Sequence, residues 1–510
     1  MAKATATAKR PDAGRTSKNG AAHHRKKPHA RNFIDGIWVD SPRRGTSTAP
    51  ADGAVLGSYA DGDAETAAAA IEAARRAFAG TAWAHDRQLR ARALFEMADR
   101  LEAAREELIT LLARENGKIL ADAAFEIDLS IPKLRYYGAL ALSDYGQSAE
   151  VGPGMYSMTL RQPIGVAAVI APWNSPVVLA IRSFAPALAA GCTVAMKLPG
   201  QTALTNGLFY EIIAGTPSLP PGVMNMFTES GNDGAPLMIS HPDTAVISYT
   251  GSTKVGRAIM ASAAPLLKPM SLELGGKTPM IVFDDADLDA AVPVLVKAIT
   301  TFNGQFCMTG SRILAQRPIA DELRRRLITA LTTLRIGPGD DPDSEIGPMI
   351  DAANAERVDE FVSATKEYAK IVVRGGRPAE PELAAGAYYR PSLVEVVDLD
   401  TPIVQQEVFG PVATFEIFDS ETDAVRRANA TEYGLAASLW TRDVDLPLRV
   451  GRQLDAGTVW TNTWAVVNDQ FPEGGFKQSG IGRLNGTRAL EEFMELKHFV
   501  HPVPPSNRPQ

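Results

Sequence analysis

The chain has 510 residues, enough for two or three packed units, because single cores seldom grow beyond about 250–300 residues. Its hydrophobic content of 45% is ordinary for a globular protein, and no stretch approaches the ~18 apolar residues of a membrane span, so no membrane partner is expected. Two cysteines exclude a disulfide scaffold and point to a reducing, cytoplasmic compartment, while the net charge of −7 divides into about +8 on the first 31 residues and about −15 on the rest.

The opening "MAKATATAKRPDAGRTSKNGAAHHRKKPHAR" has no apolar core and no leucine periodicity. It is read as a disordered basic tail over 1–31, neither a secretory signal nor a transit peptide. Its charge allows a weak contact with an anionic surface, but the acidic body offers no footprint for DNA or RNA, and no nucleic-acid partner is expected. His23, His24 and His29 fall in this tail, and no HExxH or CxxC pattern occurs, so no metal is expected.

The folded part begins near "NFIDGIWVDS", 32–41. "DAETAAAAIEAARRAFAG" and "RQLRARALFEMADRLEAAREELITLLARENGK" repeat apolar residues at intervals of three and four and predict two helices, with Asp63 capping the first. "EIDLSIPKLRYYGALALSDYG" extends the helical region, and "QSAEVGPGMYSMTLRQP" predicts a hairpin excursion.

The pattern changes at Val166. "VAAVIA" is a short, fully apolar run suited to a strand buried on both faces; "TVAMKL", "GVMNMF" and "AVISYT" read as further strands, and helical stretches separate them. That alternation predicts a parallel sheet layered by helices, with ligands beyond the carboxyl ends of its strands. Those ends carry Trp173-Asn174, Lys197 and Thr250-Gly251-Ser252. A second α/β layer follows Gly275, with strands at "PMIVF", "KIVVRG", "YYRPSLVEV", "VATFEIF", "TEYGLAASLW" and "AGTVWTN". The predicted fold class is therefore α/β.

Glycines cluster in "GIGRLNG", 480–486, but no βαβ unit surrounds them, so they are not a dinucleotide fingerprint. No GxGxxG opens the first sheet either. "YTGSTKVG" offers another route, because Ser252 and nearby backbone amides start a helix where phosphate is favourable. One of the two cysteines lies in "TFNGQFCMTGSR", 301–312, and taken alone this stretch suits a buried structural loop as well as a nucleophile.

"APWNSP", "MSLELGGKTP", "TFNGQFCMTGSR", "QQEVFGPV" and "GGFKQSGIGR" occur in this order, and together they closely resemble the aldehyde dehydrogenase superfamily over roughly residues 32–500. The resemblance implies a Rossmann-like cofactor-binding domain over 32–275, with a hairpin excursion near 146–163. It further implies a catalytic domain over 276–478, a C-terminal return and oligomerisation segment over 479–510, and a homodimer or homotetramer. It implies oxidation of a small-molecule aldehyde with NAD or NADP. Cys307 attacks the aldehyde carbon to give a thiohemiacetal, hydride leaves for the nicotinamide, and the thioester is hydrolysed. A thiol suits the first step because sulfur is intrinsically nucleophilic, and the oxyanion needs preset donors. By the resemblance those are Asn174 and the backbone N–H of Cys307, and Glu273 is the general base that activates water. Cys192 is read as a small buried residue.

For the cofactor the same resemblance implies Trp173, Lys197, Gly231, Thr250, Gly251, Ser252, Gly275, Asn354, Arg357, Glu407 and Phe409. The family often reads Lys-Pro-x-Glu where this chain has "KLPG". Gly200 thus removes a ribose-binding carboxylate that would repel a 2′-phosphate, which leaves NAD and NADP both open.

Ser175, Val178, Leu179 and Arg182 are assigned to one wall of the substrate channel, and Phe302, Trp464, Val467, Phe471 and Glu473 to the rest. Arg182 stands where many relatives have tryptophan, and Glu473 replaces the phenylalanine of a "PFGG" motif. Arg182 suggests an anion or a ring, and Glu473 a cation or a partner for Arg182. Trp460 and Trp464 suit either an aromatic cage for a quaternary ammonium or simple packing. "PWNSPVVLAIR" resembles the aromatic-aldehyde pattern, which gives a benzaldehyde-like substrate as the expectation, with betaine, amino or semialdehyde substrates as the alternative.

Overall fold

The computed structural model describes residues 27–143 and 145–503. Two sheets organise it. The first has eight strands in the spatial order Gly480–Ile481, Met270–Glu273, Thr244–Thr250, Val166–Ile170, Thr193–Pro199, Met224–Glu229, Asn32–Ile34 and Ile37–Val39. The five strands from Met270–Glu273 to Met224–Glu229 run parallel, and the flanking ones are antiparallel. All five residues of Val166–Ile170 are buried, as a strand covered by helices on both faces requires. From Val166–Ile170 the chain winds outward to Met224–Glu229, then returns to place Thr244–Thr250 on its other side. The order of winding reverses there, and a crevice opens at the carboxyl ends of these two strands.

The second sheet runs Lys370–Val373, Ser392–Glu395, Val412–Phe418, Arg312–Gln316, Pro279–Val282, Ala436–Trp440 and Thr458–Thr461. All its pairs are parallel except the first. A separate three-stranded sheet pairs Met494–Pro502 along its whole length with Met155–Pro163, which also pairs with Ser148–Gly152.

Asp63 does cap its helix, accepting from the Thr66 N–H at 3.0 Å. The stretch read as one long helix is two, Arg87–Ala103 and Arg105–Asn116. Ala104 leaves helical geometry with ψ 7°, Arg105 pairs with Asp128 on the next helix, and Leu108 and Leu112 turn into the core. Residues 1–26 of the basic segment lie outside the described residues. Residues 27–31, read as part of a disordered tail, are instead anchored. His29–Ala30 pairs with Ser58 and Tyr59, Lys27 donates to the Val55 carbonyl, and Arg31 lies over the Trp38 ring.

"GIGRLNG" is a sheet edge rather than a phosphate loop, since Gly480 pairs antiparallel with Glu273. That pairing brings the C-terminal return against the carboxyl end of the first sheet. No helix among the described residues is long and apolar enough to cross a membrane.

Candidate active site

Asn174 lies between the Val166–Ile170 strand and the Pro176–Ala190 helix, and is buried. Its backbone is clamped from below. Lys118 Nζ donates to the Asn174 carbonyl at 2.7 Å and pairs with Glu126 Oε2 at 2.6 Å. The other Glu126 oxygen accepts from the Val177 and Val178 N–H groups at 2.8 and 3.3 Å, so one carboxylate satisfies the first turn of the helix. Lys118 and Glu126 are fully buried, and nothing in their helical surroundings marked them as site residues.

The cysteine loop is built on three consecutive left-handed residues, Phe302, Asn303 and Gly304, at φ 53°, 57° and 69°. A Cβ on Gly304 would lie 2.2 Å from the Gly410 carbonyl carbon, so only glycine permits that passage. Hydrogen bonds hold the turn. Asp122 accepts from the Phe302 N–H at 2.7 Å, Asn303 Oδ1 from the Gly347 N–H at 2.9 Å, and Gln305 Oε1 from the Ile350 N–H at 3.0 Å. Cys307 then emerges partly exposed, lining a cavity of about 300 Å³ together with Asn174. Burial pushes its thiol up to about 12, with Arg182 opposing and three nearby carboxylates adding to the rise. Cys192 is buried, its thiol against the Phe493 carbonyl, as expected of a packing residue.

Glu273 ends the Met270–Glu273 strand, buried, with Oε1 lacking a protein partner. Burial pushes its carboxyl up to about 8; Arg182 and Arg483 pull it down and Glu473 raises it further. Arg182 stands between two carboxylates. Its Nη1 is 3.3 Å from Glu473 Oε1 and 3.9 Å from Glu273 Oε2, and its Nη2 donates to Thr250 Oγ1 at 3.2 Å. Of the two readings of Glu473, the partner for Arg182 is the one the structure builds.

On the cofactor side, Trp173, Thr250, Gly251, Ser252, Gly275, Asn354, Arg357, Glu407 and Phe409 line the same 300 Å³ cavity as Cys307. Ser252 caps the Thr253–Ala263 helix. A Cβ on Gly275 would come within 2.5 Å of Glu407 Oε2, and the Gly276 N–H donates to Glu407 Oε1 at 3.1 Å, so the glycine pair lets this carboxylate reach the cleft. Burial pushes Glu407 up to about 7. Phe409 meets Trp173 edge-on at 5.5 Å. Arg357 donates to the Val408 carbonyl and Asn354 is tied to Asp351. Lys197 and Gly231 lie outside this cavity, at the carboxyl edges of neighbouring strands, with Lys197 Nζ 4.0 Å from Glu229. At Gly200 a Cβ would meet the Tyr59 hydroxyl at 2.5 Å and Ser230 Cβ at 2.9 Å, so side chains already fill the place of the missing carboxylate. A helix start facing the cleft, small residues beneath it and an acceptor at its far side suit a dinucleotide.

The channel residues divide. Leu179 lines the Cys307 cavity; Val467, Phe471 and Glu473 line a second one of about 310 Å³ with Trp460 and Met308. Phe302 lines neither cavity, because the left-handed turn directs it inward. It packs against Phe125 and Phe306 beneath the Lys118 ammonium, 3.9 Å from its ring centroid. Ser175 is buried with its hydroxyl on the Asn174 carbonyl, and Val178 donates to Glu126. Trp464 packs edge-on to Phe306 and donates to the Met308 carbonyl, and Trp460 donates to the Val466 carbonyl.

Residues 38–499 match the model of the aldehyde dehydrogenase family. Betaine aldehyde dehydrogenase from Bacillus subtilis (strain 168) is 36% identical over 480 residues, covering 93% of this chain and 98% of the relative. The 2-hydroxymuconic semialdehyde dehydrogenase of Pseudomonas sp. (strain CF600) is 36% identical over 479 residues, covering 92% and 98%. The crystal structure of betaine aldehyde dehydrogenase from Staphylococcus aureus in complex with NAD+ superposes with a TM-score of 0.91 at 35% identity, covering 94% of this chain and 96% of that one. With its two α/β layers and a thiol in the crevice between them, the chain belongs to the aldehyde dehydrogenase family and is an NAD(P)-dependent aldehyde dehydrogenase.

Proposed function

We propose that Cys307 is the nucleophile, with Asn174 and the Cys307 N–H as oxyanion donors and Glu273 as the base, and that the preferred substrate is a small aldehyde bearing a cationic group. The cofactor domain is residues 32–275 and the catalytic domain 276–478. Cys307 gives its proton to solvent water, and the thiolate sulfur then attacks the aldehyde carbon. Arg182, the cation facing the thiol, favours the thiolate. The new alkoxide receives the Asn174 amide, held in register by Lys118. Bound NAD or NADP supplies the hydride acceptor. Glu273, raised to about 8, then takes a proton from water as that water attacks the thioester, and acid and free thiol are released.

One observation carries the substrate reading: the aromatic side chains of Trp460 and Phe471 line the 310 Å³ cavity beside Met308. Aromatic faces attract a quaternary or primary ammonium through the ring quadrupole. The names of betaine aldehyde dehydrogenases from Bacillus subtilis and Beta vulgaris, 36% and 35% identical, support the same class. This takes the place of the benzaldehyde-like expectation. The exposed Val151, Leu160, Leu496 and Val500 on the three-stranded sheet support its use in a homodimer or homotetramer.

The test is kcat/KM from NADH formation on betaine aldehyde, 4-aminobutyraldehyde, succinic semialdehyde and benzaldehyde. The cationic pair should lead by about tenfold, the scale of ~1.4 kcal/mol. A lead for benzaldehyde or for the anionic semialdehyde refutes the reading.

A further inference from the structure

The unpaired Glu273 oxygen and the off-centre Arg182 need a joint explanation. A buried guanidinium seeks a carboxylate, and two lie within reach. It sits closer to Glu473, although Glu273 has an oxygen with no partner at all. Glu473 is rigidly mounted. Its backbone exchanges hydrogen bonds with Leu484 in both directions, at 2.7 and 2.9 Å. Its second oxygen accepts from Asn485 Nδ2 at 2.8 Å, and Asn485 Oδ1 accepts from Lys133 Nζ at 2.7 Å. Lys133 is itself paired with Asp469. Arg182 is fixed from the opposite side by Thr250. Next along the chain, Gly474 leaves room for Glu273, because a Cβ there would lie 3.1 Å from Glu273 Oε1.

We propose that Glu473 is a positioning residue that holds the Arg182 guanidinium off Glu273, keeping the base unpaired and free to take a proton from water. The proposal rests on Glu273 being the base. Without the Glu473 carboxylate, Glu273 is the nearest remaining carboxylate for Arg182, and a shift of about 1 Å turns the 3.9 Å approach into a full ion pair. Such a pair occupies the base and weakens it. The other charged or titratable groups facing Glu273 are Arg483, whose Nη1 donates to the Gly475 and Gly482 carbonyls, and Cys307. Those bonds hold one end of the Arg483 guanidinium on the backbone of its own segment.

The test avoids aldehyde specificity. p-Nitrophenyl acetate transfers its acetyl group to the Cys307 sulfur and releases nitrophenolate. Water then cleaves the thioester to acetate and free thiol, and intact mass follows that decay against pH. Glu473→Gln should move the midpoint of decay down by about one pH unit and slow its plateau about tenfold. Arg182→Gln should move the midpoint up, and Glu473→Asp should return part of the wild-type rate. An unchanged midpoint in Glu473→Gln, with loss only in thermal stability, makes the residue structural and overturns the proposal. If that variant does not fold, Arg182→Gln decides: a midpoint that stays or falls overturns it equally. Glu273→Gln is run in parallel. Undiminished decay there removes the base reading, and this proposal with it, by a result separate from the Glu473 outcome.

Discussion

Replacing Glu126 by glutamine tests how the helix behind Asn174 is held. The change keeps the shape of the side chain and removes its charge. Lys118 would then keep a buried ammonium on the Asn174 carbonyl and the Phe302 ring, with the Asp122 carboxylate nearby but not hydrogen-bonded to it. Breaking a buried pair from one side costs about 3–5 kcal/mol, because the remaining charge is left uncompensated. Lys118→Met should cost less, since Glu126 would still accept from the Val177 and Val178 N–H groups at a helix start, where negative charge is favoured. Joining the two as Lys118→Met with Glu126→Gln should recover much of the loss, since no charge stays unpaired. A chain of this size need not unfold in one step, so thermal midpoints rank the variants rather than yield free energies. Activity should fall further than stability suggests. Lys118 positions the Asn174 backbone, and misplacing a reacting group by about 1 Å can cost about a hundredfold. The assays are the thermal midpoint and the burst of NADH on rapid mixing. A Glu126→Gln enzyme with wild-type midpoint and burst refutes the reasoning, as does a double variant in which the two losses simply add.

Cys307→Ser should abolish steady-state aldehyde oxidation while NAD still quenches tryptophan fluorescence; sustained turnover would remove the nucleophile assignment. Because burial holds the free thiol near 12, its alkylation by iodoacetamide should accelerate about tenfold per pH unit between roughly 7 and 9, and Arg182→Gln should slow it at every pH. A pH-independent rate sinks this. NADP should be reduced at a measurable rate beside NAD, since no carboxylate stands at Gly200, and complete rejection at saturation would refute that. Gly200→Glu should lower the thermal midpoint rather than cleanly restore NAD preference, because its Cβ meets Tyr59 and Ser230.

The parallel sheet was legible because Val166–Ile170 is apolar throughout, the strands after it are rich in apolar residues, and helices separate them, a pattern that ordinary helical amphipathicity does not produce. The motif residues were legible by resemblance, and the cleft gathers Cys307, Asn174, Glu407 and Phe409 although they come from three distant segments. What lay hidden was orientation. Phe302 was placed on the channel wall by its position five residues before Cys307, but three left-handed residues turn it inward, and no composition signal reports φ. The break at Ala104 was invisible for a similar reason, since one residue changes direction without disturbing the apolar period. Lys118 and Glu126 read as ordinary charges on helices, and only folding shows that both are buried against the start of the next helix.

Glu473, Gly474 and Arg483 belong to a segment about 200 residues beyond Glu273, yet they set its surroundings, because Gly480–Ile481 pairs with the strand that Glu273 ends. The surroundings of Glu273, the proposed base, are therefore completed by residues far along the chain from it. That placement has an energetic consequence. Glu273 and Arg182 are both buried, and on the proposal made above the Arg182 guanidinium would settle on Glu273 if Glu473 were lost. Glu473 thus supplies a second carboxylate, and Gly474 beside it leaves room for the first. Removing the Lys133 ammonium loosens Asn485 and, through it, Glu473, and also frees Asp469, without touching Glu273 or Cys307. Lys133→Gln should accordingly slow acyl-enzyme decay while leaving acylation by p-nitrophenyl acetate near wild type, because only the later step needs a free base. Equal slowing of both steps would mean that the return segment shapes the whole cleft rather than the base alone.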